Sequence, residues 1–282
     1  MIIVLWGALG LIVLFGIAKA MALALRLRKR LTVLSAQIHQ LEKEVRTASS
    51  LLIEMRGREI QQRGATQALN VRCFAQFHEE PVLWALLGYK KKGYYVEAGA
   101  YDGVRLSTSY FFESIGWTGL LVEANPELYE ACRKARPGSK VVNAAIGGRD
   151  ASGEIEFSKV AGADGVDALG FLKASDDHIA LVKRQGGRVE SMKVPFTNLS
   201  KLLDQERPGK IDFVVIDVEG FEETALEGLE IERWAPGVVM VERNPPDAPD
   251  NYAAAQLLQK HGYRLCARCI RNDVYISRDV RW

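Results

Sequence analysis

The sequence lacks a strong net charge: its 37 basic and 35 acidic side chains leave a formal charge of +2 over 282 residues. Proteins whose main task is to grip nucleic-acid phosphates usually carry a clear basic excess, so the sequence predicts no nucleic-acid partner. Intrinsic disorder of the whole chain is also excluded. The hydrophobic fraction of 48% is too high, and the net charge too small, for a chain that cannot collapse.

Cysteine is also scarce, and the four cysteines show no disulfide-scaffold pattern. They fit a reducing compartment, where cysteines act as small hydrophobic residues. Cys266 and Cys269 form one Cys-x-x-Cys without a second pair, which is insufficient for zinc. The sequence therefore predicts neither a disulfide scaffold nor a structural zinc site.

The small net charge hides a hydrophobic N-terminus that is followed by basic residues. Residues 1–18 carry no charge, and after Lys19 the apolar run resumes through Leu25. Since roughly 20 apolar residues span a bilayer, we predict a retained transmembrane helix over residues 1–25, with a cleaved signal peptide as the alternative. Four of the five residues 26–30 are basic. The positive-inside rule then places the rest of the chain on the cytoplasmic side of an inner or plasma membrane, which it crosses once.

Heptad spacing follows the basic residues. Two apolar series each repeat every seven residues: Leu31, Ile38, Val45 and Leu52, and Leu34, Leu41, Ala48 and Met55. This pattern favours a parallel two-stranded coiled coil, and so a homodimer through residues 31–55, with a single amphipathic stalk helix as the alternative. We therefore expect a basic collar and stalk over residues 26–60, and a linker with a leading helix over residues 61–80.

The remaining residues, 81–282, are typical of one α/β domain. Short apolar runs predict seven strands: Tyr94–Ala98, Gly119–Val122, Val141–Ala144, Phe213–Ile216, Val238–Val241, Tyr263–Cys266 and Val274–Ile276. Helical patterns lie between them at Thr108–Ile115, Pro126–Ala135, Leu199–Glu206, Glu222–Leu229 and Tyr252–His261. Several runs are apolar on both faces, as in strands covered by helices on both sides. We expect a doubly wound, Rossmann-like sheet of about seven strands, with ligands at the carboxyl ends of the strands.

Glycines and an acid stand at the ends of the first two predicted strands. Gly99 and Gly103 let the backbone turn tightly and approach a ligand. Glu123 closes the second strand, where a carboxylate can accept hydrogen bonds from both hydroxyls of a ribose. A dinucleotide fingerprint would need a third glycine where Leu106 stands. The pattern thus favours a nucleoside without a pyrophosphate, such as S-adenosylmethionine.

Three further acids stand at the ends of the fourth and fifth predicted strands. Asp217 and Glu219 follow one strand, and Glu242 closes the next, so we expect Asp217 and Glu242 to lie side by side across one crevice. Clustered like charges shift each other's pKa, as general acid–base work requires. The structural alternative is that Asp217 caps the helix beginning at Glu222. Such carboxylates also suit magnesium or calcium, but no ligand spacing selects an ion and no metal site is predicted.

Four motifs, in order, resemble the FkbM family of S-adenosylmethionine-dependent methyltransferases over residues 93–276. They are Val96-Glu97-Ala98-Gly99-Ala100, Glu123-Ala124-Asn125-Pro126, Asn143-Ala144-Ala145-Ile146-Gly147, and Ile216-Asp217-Val218-Glu219-Gly220-Phe221-Glu222. The sequence departs from the family at Val215 and Tyr101, where a lysine and an asparagine are common.

The resemblance implies a class I methyltransferase sheet that binds S-adenosylmethionine. The implied cofactor-binding residues are Glu97, Gly99, Ala100, Gly103, Glu123, Asn125, Asn143, Ala144 and Asp217, and the implied catalytic residues are Asp217, Glu219 and Glu242. We expect a membrane-anchored O-methyltransferase whose acceptor is a hydroxyl of a glycan, a lipid-linked sugar or another small metabolite. A nucleotide-dependent oxidoreductase and a noncatalytic membrane-tethered scaffold are the alternatives.

Overall fold

The computed structural model describes residues 73–161, 170–171, 187–243 and 252–278, together with Lys183 and helical positions scattered between residues 21 and 37. The chain divides into two compact units, Met1–Ala68 and Leu69–Trp282. Among the described residues, no helix combines the length and the apolar character needed to cross a membrane. The predicted span over residues 1–25 lies outside the described residues, except for two positions, as does most of the predicted stalk.

The second unit contains alternating strands and helices. In chain order they are α1 (Glu80–Leu86), β1 (Tyr94–Ala98), α2 (Tyr110–Ser114), β2 (Thr118–Glu123), α3 (Pro126–Ala135), β3 (Lys140–Asn143), β4 (Ala145–Ile146), β5 (Glu154–Ala161), β6 (Gly170–Phe171), β7 (Arg188–Thr197), α4 (Leu199–Glu206), β8 (Phe213–Ile216), α5 (Glu222–Leu229), α6 (Ile231–Trp234), β9 (Val238–Glu242), α7 (Ala253–Lys260), β10 (Tyr263–Cys269) and β11 (Asn272–Ser277).

A seven-stranded sheet in the order β10-β11-β9-β8-β1-β2-β3 lies at the centre of this unit. The strand β11 is antiparallel to both of its neighbours, and the other neighbouring strands are parallel. The chain winds outward in opposite directions from β1 and β8, so the point between these two strands is where such sheets bind ligands. Ala98 pairs with both Val122 and Ile216. The turns after β1, β2 and β8 therefore lie side by side.

Each face of the sheet is covered by an apolar cluster. Val96, Val214 and Val239 belong to one cluster, whereas their chain neighbours Tyr95 and Phe213 belong to the other. This alternation follows from the two-residue period of a strand. It confirms the predicted doubly wound α/β sheet, because only strands buried on both faces need such continuous apolar runs.

All seven predicted strands belong to this sheet. β1, β8, α3, α4 and α5 begin and end where the sequence predicted, and the other five strands have shifted ends. The predicted start of α2 at Thr108 is wrong, because the helix begins at Tyr110. Ser107 Oγ and the Thr108 N–H both donate to Glu97. These two bonds hold the residues before the helix in a turn.

A second, four-stranded sheet in the order β4-β7-β5-β6 was not predicted. Its long antiparallel pair, β5 with β7, is rich in charged residues and is largely exposed or partly exposed. Its buried cluster is small and consists of Ala145, Phe157 and Val194. The sequence signal was weak because so little of this sheet is apolar.

Candidate functional site

The turn after β1 packs directly against the turn after β8. Gly99 has a φ of +87° and its N–H donates to the Val122 carbonyl at 2.9 Å. A Cβ atom at Gly99 would lie 1.8 Å from the carbonyl oxygen of Asp217. Only glycine therefore fits between the two turns, and the buried Ala100 follows it at the same place.

Glu97 holds the next part of this turn. The buried carboxylate accepts hydrogen bonds from Ser107 Oγ at 2.8 Å, from the Thr108 N–H at 2.9 Å and from Ser109 Oγ at 2.5 Å. Glu97 was predicted to lie near the methionine part of the cofactor. Its contacts within the chain give it a clear positioning role, since they fix the loop that follows Gly103.

Arg136 also holds this loop in place, a role that the sequence did not predict. Its fully buried guanidinium donates to the Gly103 carbonyl at 2.8 Å, to Ser109 Oγ at 2.9 Å and to the Glu113 carboxylate at 2.9 Å. Gly103 has a φ of +79°, and a Cβ atom there would lie 2.8 Å from Arg136 Cγ. An arginine at the end of a helix is usually exposed, so nothing in the sequence indicated this buried role.

Glu123, at the end of β2, is fixed by two backbone donors. Its Oε2 accepts from the Tyr101 N–H at 2.8 Å and its Oε1 accepts from the Asn125 N–H at 2.7 Å. Burial nevertheless raises the pKa of Glu123 to about 7. A carboxylate has about four acceptor positions, and the N–H groups of Tyr101, Asn125 and Ala124 do not fill all of them, so Glu123 can still accept from a ligand donor such as a ribose hydroxyl.

Asn125 and Asn143 shape the ends of β2 and β3. Asn125 caps α3 by accepting from the Glu127 N–H at 3.0 Å. Asn143 Nδ2 donates to the carbonyls of Glu123 and Ala124 at 2.9 and 3.0 Å. Both predicted cofactor residues thus fix the backbone around Glu123, and the buried Ala144 follows them beside the same strand end.

The three acids after β8 and β9 form one cluster. An oxygen from each of Asp217, Glu219 and Glu242 lies within 4.8 Å of the other two. The pairing of Ile216 with Val241 brings Asp217 next to Glu242, as predicted. Burial raises the pKa of Asp217. Burial and then the neighbouring carboxylates raise the pKa of Glu219 to about 8 and that of Glu242 to about 9.

Two observations favour a chemical role for this cluster over a structural one. Asp217 does not cap α5, which begins after Phe221 without any side-chain cap. The Glu222 carboxylate instead accepts from the N–H groups of Val218 and Gly220. In addition, Glu219 has a φ of +52°, a backbone conformation that is uncommon for a residue other than glycine and is often found at functional sites.

Residues that the sequence did not single out surround Glu242. Arg271 Nη2 pairs with Glu242 Oε1 at 2.7 Å, whereas Glu242 Oε2 is buried and has no hydrogen-bond partner among the described residues. Asn272 pairs with Glu242 across β9 and β11, and its side chain donates to the buried Glu79 at 2.6 Å. The charge of Asp217 contributes to a raised pKa of Glu79, after burial.

The predicted site residues lie close together at the carboxyl ends of the strands, where the topology places the crevice. The charge of Asp217 helps to raise the pKa of Glu123. The charge of Glu97 in turn helps to raise the pKa of Asp217. Gly99 lies against Asp217. The crevice therefore has the strand ends of β1, β2 and β3 on one side and the acidic cluster on the other.

Residues 97–265 match the methyltransferase FkbM domain, which covers more than half of the chain. The chain belongs to the FkbM methyltransferase family. It is an S-adenosylmethionine-dependent methyltransferase, as the resemblance implied. Family membership decides against the alternative of a nucleotide-dependent oxidoreductase. A comparison with curated proteins gives no match.

Solved structures of other methyltransferases are similar to this FkbM chain. The precorrin-6Y C5,15-methyltransferase of Geobacter metallireducens is 14% identical with a TM-score of 0.38, and the match covers 75% of this chain and 90% of that one. A TehB-like S-adenosylmethionine-dependent methyltransferase of Corynebacterium glutamicum is 10% identical with a TM-score of 0.38, covering 82% and 100%. TrmK of M. capricolum, in complex with S-adenosylhomocysteine, is 9% identical with a TM-score of 0.36, covering 69% and 66%.

The residues of the crevice fit the cofactor of the FkbM family. Glu123 can still accept a hydrogen bond from a ribose hydroxyl, and the Gly99 turn, which has no side chain, lets a ligand approach the backbone at the same place. The acidic cluster is complementary to the positive charges of a sulfonium and an amino group. Glu123 would therefore hold the ribose, and the Gly99 turn would border the methionine part.

A cavity of about 720 Å³ lies away from the carboxyl ends of the strands, where α5 and α7 end. Its lining includes Arg149, Glu232, Lys260 and His261 and none of the predicted site residues. Arg149 already pairs with Glu232. Because the conserved architecture of such sheets puts ligands at the carboxyl ends of the strands, we assign the cofactor to the crevice and not to this cavity.

Proposed function

We propose that the chain transfers a methyl group to a hydroxyl oxygen of a glycan, a lipid-linked sugar or another small metabolite. The observation that carries this proposal is the cluster of Asp217, Glu219 and Glu242 beside the cofactor crevice. A hydroxyl is a weak nucleophile and gains most from a base that takes its proton. An acceptor that is already nucleophilic, such as a free thiolate, would need no such cluster.

The raised pKa values bear on which of these carboxylates can accept a proton. A general base works best when its pKa lies near the working pH and it is unprotonated there. Burial with like-charge neighbours raises the pKa of Glu242 to about 9, so Glu242 is mostly protonated at neutral pH unless a nearby positive charge, such as a bound sulfonium, lowers that pKa. When bound, S-adenosylmethionine supplies the activated methyl group. Asp217 or Glu242 accepts the hydroxyl proton, Glu219 orients the acceptor, and Arg271 holds Glu242 in place through its 2.7 Å ion pair.

We further propose that the enzyme works at the cytoplasmic face of an inner or plasma membrane. The apolar residues 1–25 and the basic residues 26–30 support this placement. Leu31 and Leu34, one from each heptad series, are helical and more than half exposed, which supports a parallel dimer through residues 31–55. An anchored enzyme meets membrane-associated acceptors first, and this favours a lipid-linked glycan.

Labelled methyl transfer tests the proposal. The purified full-length chain is incubated with membrane extracts and S-adenosylmethionine carrying a labelled methyl group. We expect an alkali-stable methyl ether in the wild type, and a rate lower by about 10²–10⁴-fold in Asp217→Asn, the usual contribution of a general base. Glu223→Gln, an exposed acid in the first turn of α5, is the control and should keep the wild-type rate.

Two outcomes would overturn this function. A labelled methyl ester, methylated amine or methyl thioether would contradict methylation of a hydroxyl. A wild-type chain that binds S-adenosylhomocysteine and transfers no methyl group to any extract would favour a noncatalytic membrane-tethered scaffold.

A further inference from the structure

The acidic cluster contains an unsatisfied buried oxygen. The Glu242 side chain is 5% exposed, and Arg271 occupies only its Oε1. Oε2 is buried, and among the described residues no group donates a hydrogen bond to it. The Asp217 and Glu242 carboxylates lie within hydrogen-bond reach of one another, but a bond between them needs a shared proton. Leaving a charged acceptor buried without a partner is costly, so either a proton or a cation must normally satisfy it.

The geometry and the charge of the cluster match those of a cation site. Oxygen ligands that lie 2.0–2.6 Å from one ion are at most about 4–5 Å from one another. The ligand oxygens of Asp217, Glu219 and Glu242 meet this condition, since all lie within 4.8 Å. Ion binding requires the three carboxylates to be ionised, and with the single positive charge of Arg271 they then leave a formal charge of −2. A divalent ion would neutralise it.

We propose that Asp217, Glu219 and Glu242 bind a hard divalent cation of the Mg²⁺ class. The donor set consists of carboxylate oxygens alone, which suits Mg²⁺, Ca²⁺ or Mn²⁺ and not zinc or copper. The ion supplies the missing partner of Glu242 Oε2 and separates the three like charges.

This proposal deepens the proposed function and rests on it for the role of the ion. Asp217 lies against Gly99, so an ion in the cluster is next to the cofactor crevice. A Mg²⁺-class ion keeps several of its positions for water or substrate, and an acceptor hydroxyl that takes one of them has a lowered pKa. Its proton can then pass to the Asp217 oxygen that does not bind the ion, so Asp217 keeps the role of base.

Binding of Mn²⁺ alone to the full-length chain tests the proposal. The chain is freed of metal with a chelator, and bound Mn²⁺ is measured by the loss of the free-ion signal in electron paramagnetic resonance. We expect one site per chain. Losing a residue that only supports a metal ligand typically lowers metal affinity by roughly 10–100-fold. Glu219→Gln and Glu242→Gln each remove a ligand, so each should weaken Mn²⁺ binding by at least this factor. Glu223→Gln should leave it unchanged.

Calorimetry with S-adenosylhomocysteine on the same samples separates this proposal from the proposed function. Variants that still bind this ligand are folded, and because Glu219 is partly exposed, its variant tests the site even where Glu242→Gln is unstable. Absence of Mn²⁺ binding at millimolar concentration, or equal binding by the wild type and Glu219→Gln, would overturn the metal site while leaving methyl transfer intact. A proton shared by Asp217 and Glu242 would then satisfy Oε2.

Discussion

Replacing Gly99 by alanine should weaken cofactor binding strongly by forcing the β1 and β8 turns apart. The added Cβ atom would lie 1.8 Å from the Asp217 carbonyl oxygen, whereas real Cβ contacts are almost never shorter than 3.0 Å. The φ of +87° adds a backbone cost of about 1–2 kcal/mol. Relieving the clash moves one turn by about 1 Å, and a misplacement of ~1 Å at an active site costs on the order of 100-fold in rate.

Gly153→Ala is the matched control. Gly153 has a similar φ of +80°, but a Cβ atom there would meet nothing within 4 Å. Both variants should therefore lose about 1–2 kcal/mol of stability from the backbone alone, a fall in melting temperature of roughly 2–8 °C. Calorimetry with S-adenosylhomocysteine should separate them: only Gly99→Ala loses affinity. If Gly99→Ala binds the ligand as tightly as Gly153→Ala does, the close packing of the two turns is not what shapes the site.

Three further outcomes follow from the same contacts. Arg136→Met should lower the free energy of unfolding by about 3–5 kcal/mol in denaturant titrations, since it leaves the Glu113 charge without its buried partner; a loss below about 1 kcal/mol would contradict this. Glu123→Gln turns an amide nitrogen towards a backbone N–H, so calorimetry should show at least tenfold weaker S-adenosylhomocysteine binding, about 1.4 kcal/mol, and unchanged affinity would count against the ribose site. Burial raises the pKa of Glu80 and of Glu123 to about 7, so the folded chain holds their protons more tightly than the unfolded chain does. The stability of the ligand-free chain should therefore fall by up to about 1.4 kcal/mol per pH unit for each group as the pH rises from about 5 to 7, and a flat profile in denaturant titrations would refute it.

The strands of the central sheet could be predicted because each one is marked by a short apolar run in the sequence. Strands such as Phe213–Ile216 are buried on both faces, and the continuous apolar run that this requires is visible in the sequence. The closeness of Asp217 and Glu242 could be predicted from one general rule: the carboxyl ends of neighbouring parallel strands lie side by side.

The partners of these acids could not be predicted, because they depend on distant pairings. Arg271 reaches Glu242 only through the register of the antiparallel strand β11 against β9. Arg136 and Ser109 meet around an irregular loop whose path no periodicity reveals. Glu79 precedes a short helix, and its burial depends on a bond to Asn272, 193 residues later in the chain.

A crystal structure of the chain with S-adenosylhomocysteine tests the central claim most directly. We predict that both ribose hydroxyls lie within about 2.6–3.2 Å of the Glu123 carboxylate and that the sulfur atom faces the cluster of Asp217, Glu219 and Glu242. A ligand found in the cavity beside Arg149 and His261, or one whose sulfur points away from the cluster, would contradict the account.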